Sequence, residues 1–192
     1  GRTGKMFCVE HWGIKPDIMT VAKALTGGYF PIGAAIASKK VSDTFLGEES
    51  NALRHLITFG GNPPASAAGV RNLEIIEDEG IVENSAQMGD YLYEQLQTMY
   101  EHPIVGNVRG GMGLLCAIDL VKDRETKEKF PAGANLRGVM ARATANQGLL
   151  GRPVADTMRI APALVITKDE VDDLVGRIDR AFGEAEKELG VS

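Results

Sequence analysis

A chain of 192 residues that is 44% hydrophobic can bury a core of one or two domains. Its net charge of −5, from 21 basic and 26 acidic residues mixed along the length, offers no cationic stripe for a phosphate backbone, so nucleic acid is not an expected partner. No apolar run approaches the roughly 18 residues of a membrane span, and two distant cysteines with three scattered histidines suit a reduced, cytoplasmic protein without a metal site.

In chain order, residues 6–9 read as a strand and 10–13 as a loop. The run Ile18–Ala22, bounded by Pro16 and by Gly27 and Gly28, is too short for a buried helix and reads as a buried strand. Lys23 then stands at its carboxyl end, where open α/β sheets place ligands and reactive groups. Two roles are open to it on this local pattern: carrying the chain back to solvent, or chemistry. Residues 31–38 (PIGAAIAS) form a second short strand whose small side chains allow close approach of a backbone or cofactor. A short helix over 42–46 and an exposed link over 47–51 follow.

Residues 56–59 are an apolar run interrupted by the Thr58 hydroxyl, and Gly60, Gly61 and Asn62 make a turn before Pro63 and Pro64 open a helix. Thr58 either satisfies local backbone or joins the turn's N–H groups in holding an anion. Helices are expected over 64–79, ended by Gly80, and over 82–100, where Met88, Leu92, Leu96 and Met99 repeat at helical spacing. From residue 103 the pattern changes to two strand-like pieces around Gly110 and Gly111, with Arg109 suited to pairing with a carboxylate or with backbone carbonyls. A charged loop spans 122–132, and a helix over 136–147 turns Leu136, Val139, Met140 and Ala143 inward before Gly148. Arg159 lies in a strand-like stretch, where its guanidinium could grip a substrate carboxylate with two parallel hydrogen bonds or hold a structural ion pair. Thr167 and Glu170 have capping-box spacing. The helix they begin presents Val171, Leu174, Val175, Ile178, Phe182, Ala185 and Leu189 on one face, expected to pack on a sheet, and Gly190 ends it.

Several of these segments, in this order, resemble the class III aminotransferases, which depend on pyridoxal 5'-phosphate: residues 1–38 with A-K-x-L-x-G-G around Lys23, T-F-G-G-N-P from Thr58, and R-x-A-P-x-L from Arg159. The resemblance implies an α/β fold, the C-terminal part of a fold-type-I transferase. Residues 1–83 would belong to the large cofactor domain and 84–192 to the small C-terminal domain. It implies that Lys23 holds the cofactor as a Schiff base and then serves as general base and acid, with burial in a cleft favouring its neutral amine. Thr58 is expected to reach the cofactor phosphate of the neighbouring subunit in a homodimer or higher oligomer, and Arg159 to bind the substrate carboxylate.

The implied reaction passes an amino group from an amine or omega-amino acid (4-aminobutyrate, β-alanine, taurine or a diamine) to a 2-keto acid such as pyruvate or 2-oxoglutarate. Aminomutase, racemase and decarboxylase chemistries of the same family are the alternatives, as is a non-catalytic dimerising fragment. The family's ring-nitrogen aspartate, ring-stacking aromatic and glycine-rich phosphate loop precede the segment that matches Gly1. The chain is therefore expected to be a truncated C-terminal portion, with little or no activity alone.

Overall fold

The computed structural model describes residues 1–55, 57–151 and 153–191, so Leu56, which opens the expected 56–59 run, lies outside the described residues. The chain divides into a unit formed by Val9–Gly80 and a larger unit that joins Gly1–Cys8 to Ile81–Ser192. The first eight residues thus associate with a segment that follows them by more than seventy positions. No described helix is long and apolar enough to cross a membrane.

In the Val9–Gly80 unit, strand β1 (Ile18–Ala22) pairs antiparallel with β2 (Gly33–Ala37), from Ile18 opposite Ala37 to Ala22 opposite Gly33. The bounds of β1 agree with the sequence reading, and β2 is shorter than the expected 31–38; the burial of β1 does not agree. Only Met19 and Val21 are half-buried in β1, and all of β2 is exposed, because a sheet of two strands with no layer over it leaves its faces bare. The expected strand at 6–9 is absent. The chain turns between Gly1 and Gly4, where Gly4 N donates to Gly1 O, and then forms a short 3-10 helix at Cys8–Trp12.

Helix α1 (Lys39–Ser42), followed by a 3-10 turn over Asp43–Phe45, begins three residues before the expected position. Its start follows Ser38, still extended and with its N–H donating to Asp17 O, and a Lys39–Asp43 ion pair spans its single turn. Helix α2 (Pro63–Asp78) opens as read: prolines occupy its first turn, and Asn62 Oδ1 accepts from Ala65 N at 3.2 Å.

The larger unit contains helix α3 (Ile81–Leu96), continued by a 3-10 segment over Gln97–Glu101, then strands β3 (Val105–Arg109) and β4 (Cys116–Leu120). Helix α4 (Leu136–Asn146), strand β5 (Thr157–Ile160) and helix α5 (Lys168–Leu189) complete it. The three strands form one antiparallel sheet in the order β3-β4-β5. One sheet face is apolar with a period of two: Cys116, Ile118 and Leu120 are buried, together with Val108, Met158 and Ile160 on the flanking strands. Leu92 and Leu96 of α3, Val139 and Met140 of α4, and Val171, Ile178 and Phe182 of α5 close the same core. Helix α5 runs against α4 and α3, and its apolar face reaches the core that they share with the sheet. Its start is a complete capping box between Thr167 and Glu170, and Gly190 at φ 68° ends it.

The first residues are fastened to this body by backbone contacts. Arg2 O accepts from Leu114 N at 3.0 Å and from the buried Ser85 hydroxyl at 3.2 Å, and Arg2 Nη1 donates to the carbonyls of Leu114 and Pro162. Glycine is required where the backbones meet. A Cβ on Gly89 would lie 2.1 Å from the carbonyl carbon of Gly113, and one on Gly113 would lie 2.5 Å from Gly4 N.

Candidate functional site

Strand β1 ends in an extended Ala22, and Lys23 turns to φ 54° to open a one-turn 3-10 helix, Lys23–Thr26. Left-handed backbone is disfavoured for a lysine, and such strain persists only where surrounding contacts hold it. Two side chains hold this turn. Asn72, on α2, donates Nδ2 to Ala24 O at 2.8 Å and to Leu25 O at 3.4 Å. Thr26 is 1% exposed, and its hydroxyl donates to Phe30 O at 2.7 Å, bracing the loop that Gly27 and Gly28 form at positive φ.

The root of Lys23 is therefore fixed while its side chain is exposed, and it makes no hydrogen bond or ion pair with a described residue. The burial expected of it is not provided within this chain, for the same reason that β1 is bare. Asn72 and Thr26 were not singled out by the sequence reading. A polar asparagine in the middle of a helix was the available signal, since asparagine disfavours that position unless its amide has a partner.

Thr58 lies in a tight turn in which Gly60 N donates to Ile57 O at 2.8 Å, four residues before the capping Asn62. Its side chain is exposed and makes no hydrogen bond with a described residue, so the hydroxyl is not used to satisfy local backbone. Lys23 and Thr58 belong to one unit and Arg159 to the other. An unpartnered primary amine on a held backbone and an unpartnered hydroxyl beside a helix start are groups of the kinds that suit an aldehyde and a phosphate, the two functions pyridoxal phosphate presents.

Arg159 sits on the polar face of the three-stranded sheet. The register sets Arg109, Ala117 and Arg159 in one row across it, with Asn107, Asp119 and Thr157 in the next. Arg109 is the pairing residue that its sequence context suggested: Nε and Nη2 donate to the two oxygens of Asp119 at 2.9 and 2.7 Å. Thr157 Oγ1 donates to the same carboxylate at 2.7 Å. The Arg109 hydrogen bonds, reinforced by Thr157, hold the Asp119 carboxyl below its ordinary range despite partial burial.

Arg159, by contrast, is exposed and makes no hydrogen bond or ion pair with a described residue, so the structural ion pair considered for it does not form within the described chain. It shares a cleft of about 490 Å3 with Arg109, Met112, Leu115, Ala117 and Val154. Cys116 also borders the cleft, but burial pushes its thiol up to about 11, which makes it a packing residue rather than a nucleophile.

The model of the family described as "Aminotransferase class-III" matches residues 1–182. A taurine–pyruvate aminotransferase of Bilophila wadsworthia is 39% identical, with 100% of this chain aligned to 44% of that protein. A diaminobutyrate–2-oxoglutarate transaminase of Halomonas elongata is 36% identical over 96% of this chain and 40% of its own length. Among solved structures, the omega-transaminase of Pseudomonas jessenii in complex with PMP superposes with a TM-score of 0.89 at 37% identity, covering 100% of this chain and 43% of that one. An (S)-enantioselective omega-transaminase from Thermomicrobium roseum gives 0.88 at 36% identity, over 96% and 41%. The chain thus spans less than half the length of these relatives.

Proposed function

Because this chain belongs to the class III aminotransferase family, within the C-terminal portion of the fold-type-I architecture, we propose that it carries the cofactor lysine and the carboxylate-binding arginine of a pyridoxal-phosphate-dependent transaminase. The reaction is transfer of an amino group from an amine or omega-amino acid to a 2-keto acid. The observation that carries this reading is Lys23, a primary amine with no internal partner on a strained turn that Asn72 and Thr26 brace.

Lys23 would hold the cofactor through Nζ, and once displaced by the substrate amine the same Nζ would take the proton from the amino-bearing carbon and deliver it to the cofactor carbon that Nζ had held. The bound cofactor supplies an electron sink for the charge that develops at that carbon. Thr58 Oγ1 would donate to the phosphate of a cofactor in a neighbouring subunit, so the working form is a homodimer or higher oligomer. Arg159 would grip a carboxylate of the amino or keto acid with two parallel hydrogen bonds. Taurine, 4-aminobutyrate, β-alanine and diamines are the donor class, pyruvate and 2-oxoglutarate the acceptors, and the cytoplasm the compartment. Turnover by these 192 residues alone is expected to be low or absent, since an exposed Lys23 leaves the reaction open to water.

The test is to incubate the chain with pyridoxal 5'-phosphate, reduce with borohydride and map the adduct by peptide mass spectrometry. Selective labelling of Lys23, abolished in Lys23→Ala, is expected. Labelling spread evenly over the surface lysines would overturn the reading.

A further inference from the structure

We propose that the cleft on the polar face of the β3-β4-β5 sheet selects an acid with a single carboxylate, Arg159 being its anchor and Asp119 the residue that denies a second carboxylate the use of Arg109. The inference rests on the proposed role of Arg159 and sharpens it: of the two acceptor classes, the pyruvate-like monocarboxylates are the ones this cleft accepts.

The argument starts from register. Ala117 is the cross-strand partner of both Arg109 and Arg159, so two guanidinium groups flank a methyl side chain on one face of the sheet. Such an arrangement would ordinarily suit an acid with a carboxylate at each end. The second row cancels half of it. Asp119 takes both Nε and Nη2 of Arg109 in a bidentate pair, and Thr157 fixes the carboxylate from the opposite strand at 2.7 Å.

A substrate carboxylate brought to Arg109 would meet a guanidinium whose Nε/Nη2 edge is occupied, leaving only the end-on Nη1/Nη2 edge, and whose charge is already balanced by an anion. Arg159 has no such counter-charge among the described residues. Apart from Thr157, whose hydroxyl donates to Asp119, the side chains of the rest of the lining carry no strong polar group, and Met112, Leu115 and Val154 expose 36%, 46% and 51% of their surface. One unmatched cation with an aliphatic surround is complementary to one carboxylate with an aliphatic remainder. A second charge on the ligand would lose water there without gaining a partner.

The experiment is a titration of the full chain with butyrate and with succinate, acids of equal carbon number, followed through the arginine side-chain Nε–H signals by 15N NMR. The Arg159 signal should move with either acid while that of Arg109 stays still. Succinate should bind no more than about twofold tighter, the statistical factor for two equivalent ends. In Asp119→Asn, Arg109 is released, and succinate should become about tenfold tighter than butyrate, with both arginine signals moving.

Arg109→Gln, which leaves no guanidinium to release, should keep the wild-type ratio. A selective loss of succinate binding in that variant would overturn the proposal, as would a wild-type chain that already prefers succinate with Arg109 responding. An Asp119→Asn variant with native-like amide signals and an unchanged ratio would overturn it too. Silence of Arg159 towards both acids would instead refute the carboxylate role on which the inference is built. The borohydride mapping at Lys23 does not depend on any of these outcomes.

Discussion

The two units of this chain use apolar side chains in opposite ways. In the larger unit Leu92, Leu96, Ile118 and Phe182 are completely buried, and sheet and helices cover one another. In Val9–Gly80 only Thr26, Ala65 and Gly69 are buried among the described residues, while Trp12, Ile18, Tyr29 and Phe59 expose 59%, 58%, 85% and 83% of their surface. The first unit carries the layers that its sequence pattern requires. The second carries the pattern without a second layer. Lys23 lies in the bare unit, on a turn whose internal hydrogen bonds are complete although its surroundings are open.

Truncations of large side chains test this contrast most strongly. Phe182→Ala should cost about 3–5 kcal/mol in urea denaturation followed by circular dichroism, and Gly89→Ala about 3 kcal/mol, because its new methyl group would overlap the Gly113 backbone. Phe59→Ala should stay within about 0.5 kcal/mol of the parent. A comparable loss at Phe59 would break the comparison.

Asn72→Ala sharpens it from within the bare unit. Losing the bonds to Ala24 and Leu25 should cost about 1 kcal/mol, and it should lower borohydride-trapped cofactor at Lys23 relative to every other lysine. Thr167→Ala, in the closed unit, should cost about 1 kcal/mol in thermal unfolding through loss of the α5 cap, without changing Lys23 labelling.

The smallest effect is one of pH. Asp119 is depressed in the folded state by Arg109, so its contribution is whole above the ordinary carboxylate value of about 4 and fades as pH falls through the lower folded value. The stability difference between the parent and Asp119→Asn should therefore narrow on acidification below about pH 4. A gap that widened there would contradict the pairing.

Most of the closed unit was legible beforehand. The periodicity of α3, α4 and α5, the Thr167–Glu170 box and the stop at Gly190 are local statements, and local chemistry decides them. The limits of β1 were legible for the same reason, but its burial was not, because an apolar run records a tendency to be covered and does not supply the cover. Residues 6–9 had a strand's composition and no strand to pair with. For Arg109 a pairing role was readable, but not whether a carboxylate or backbone carbonyls would fill it, since the facing of Asp119 depends on cross-strand register and on the irregularity between Val105 and Asn107. Asn72 and Thr26 act on the lysine turn through contacts of the folded chain, up to 48 positions apart in sequence.

The fastening of Arg2 also has a consequence for how the chain matures. Its partners Leu114 and Pro162 lie 112 and 160 positions further on, and at about 5–20 residues per second a ribosome needs roughly 6 to 30 s to supply them. Until then the segment around Arg2 can meet only α3, through Ser85, and Gly4 waits for the glycine loop that will receive it. The segment around Arg2 is thus made well before the residues on which it docks, and closing so long a loop is a late, entropically costly step. A chaperone that held this segment through that interval would be shielding an unfinished seam of the larger unit.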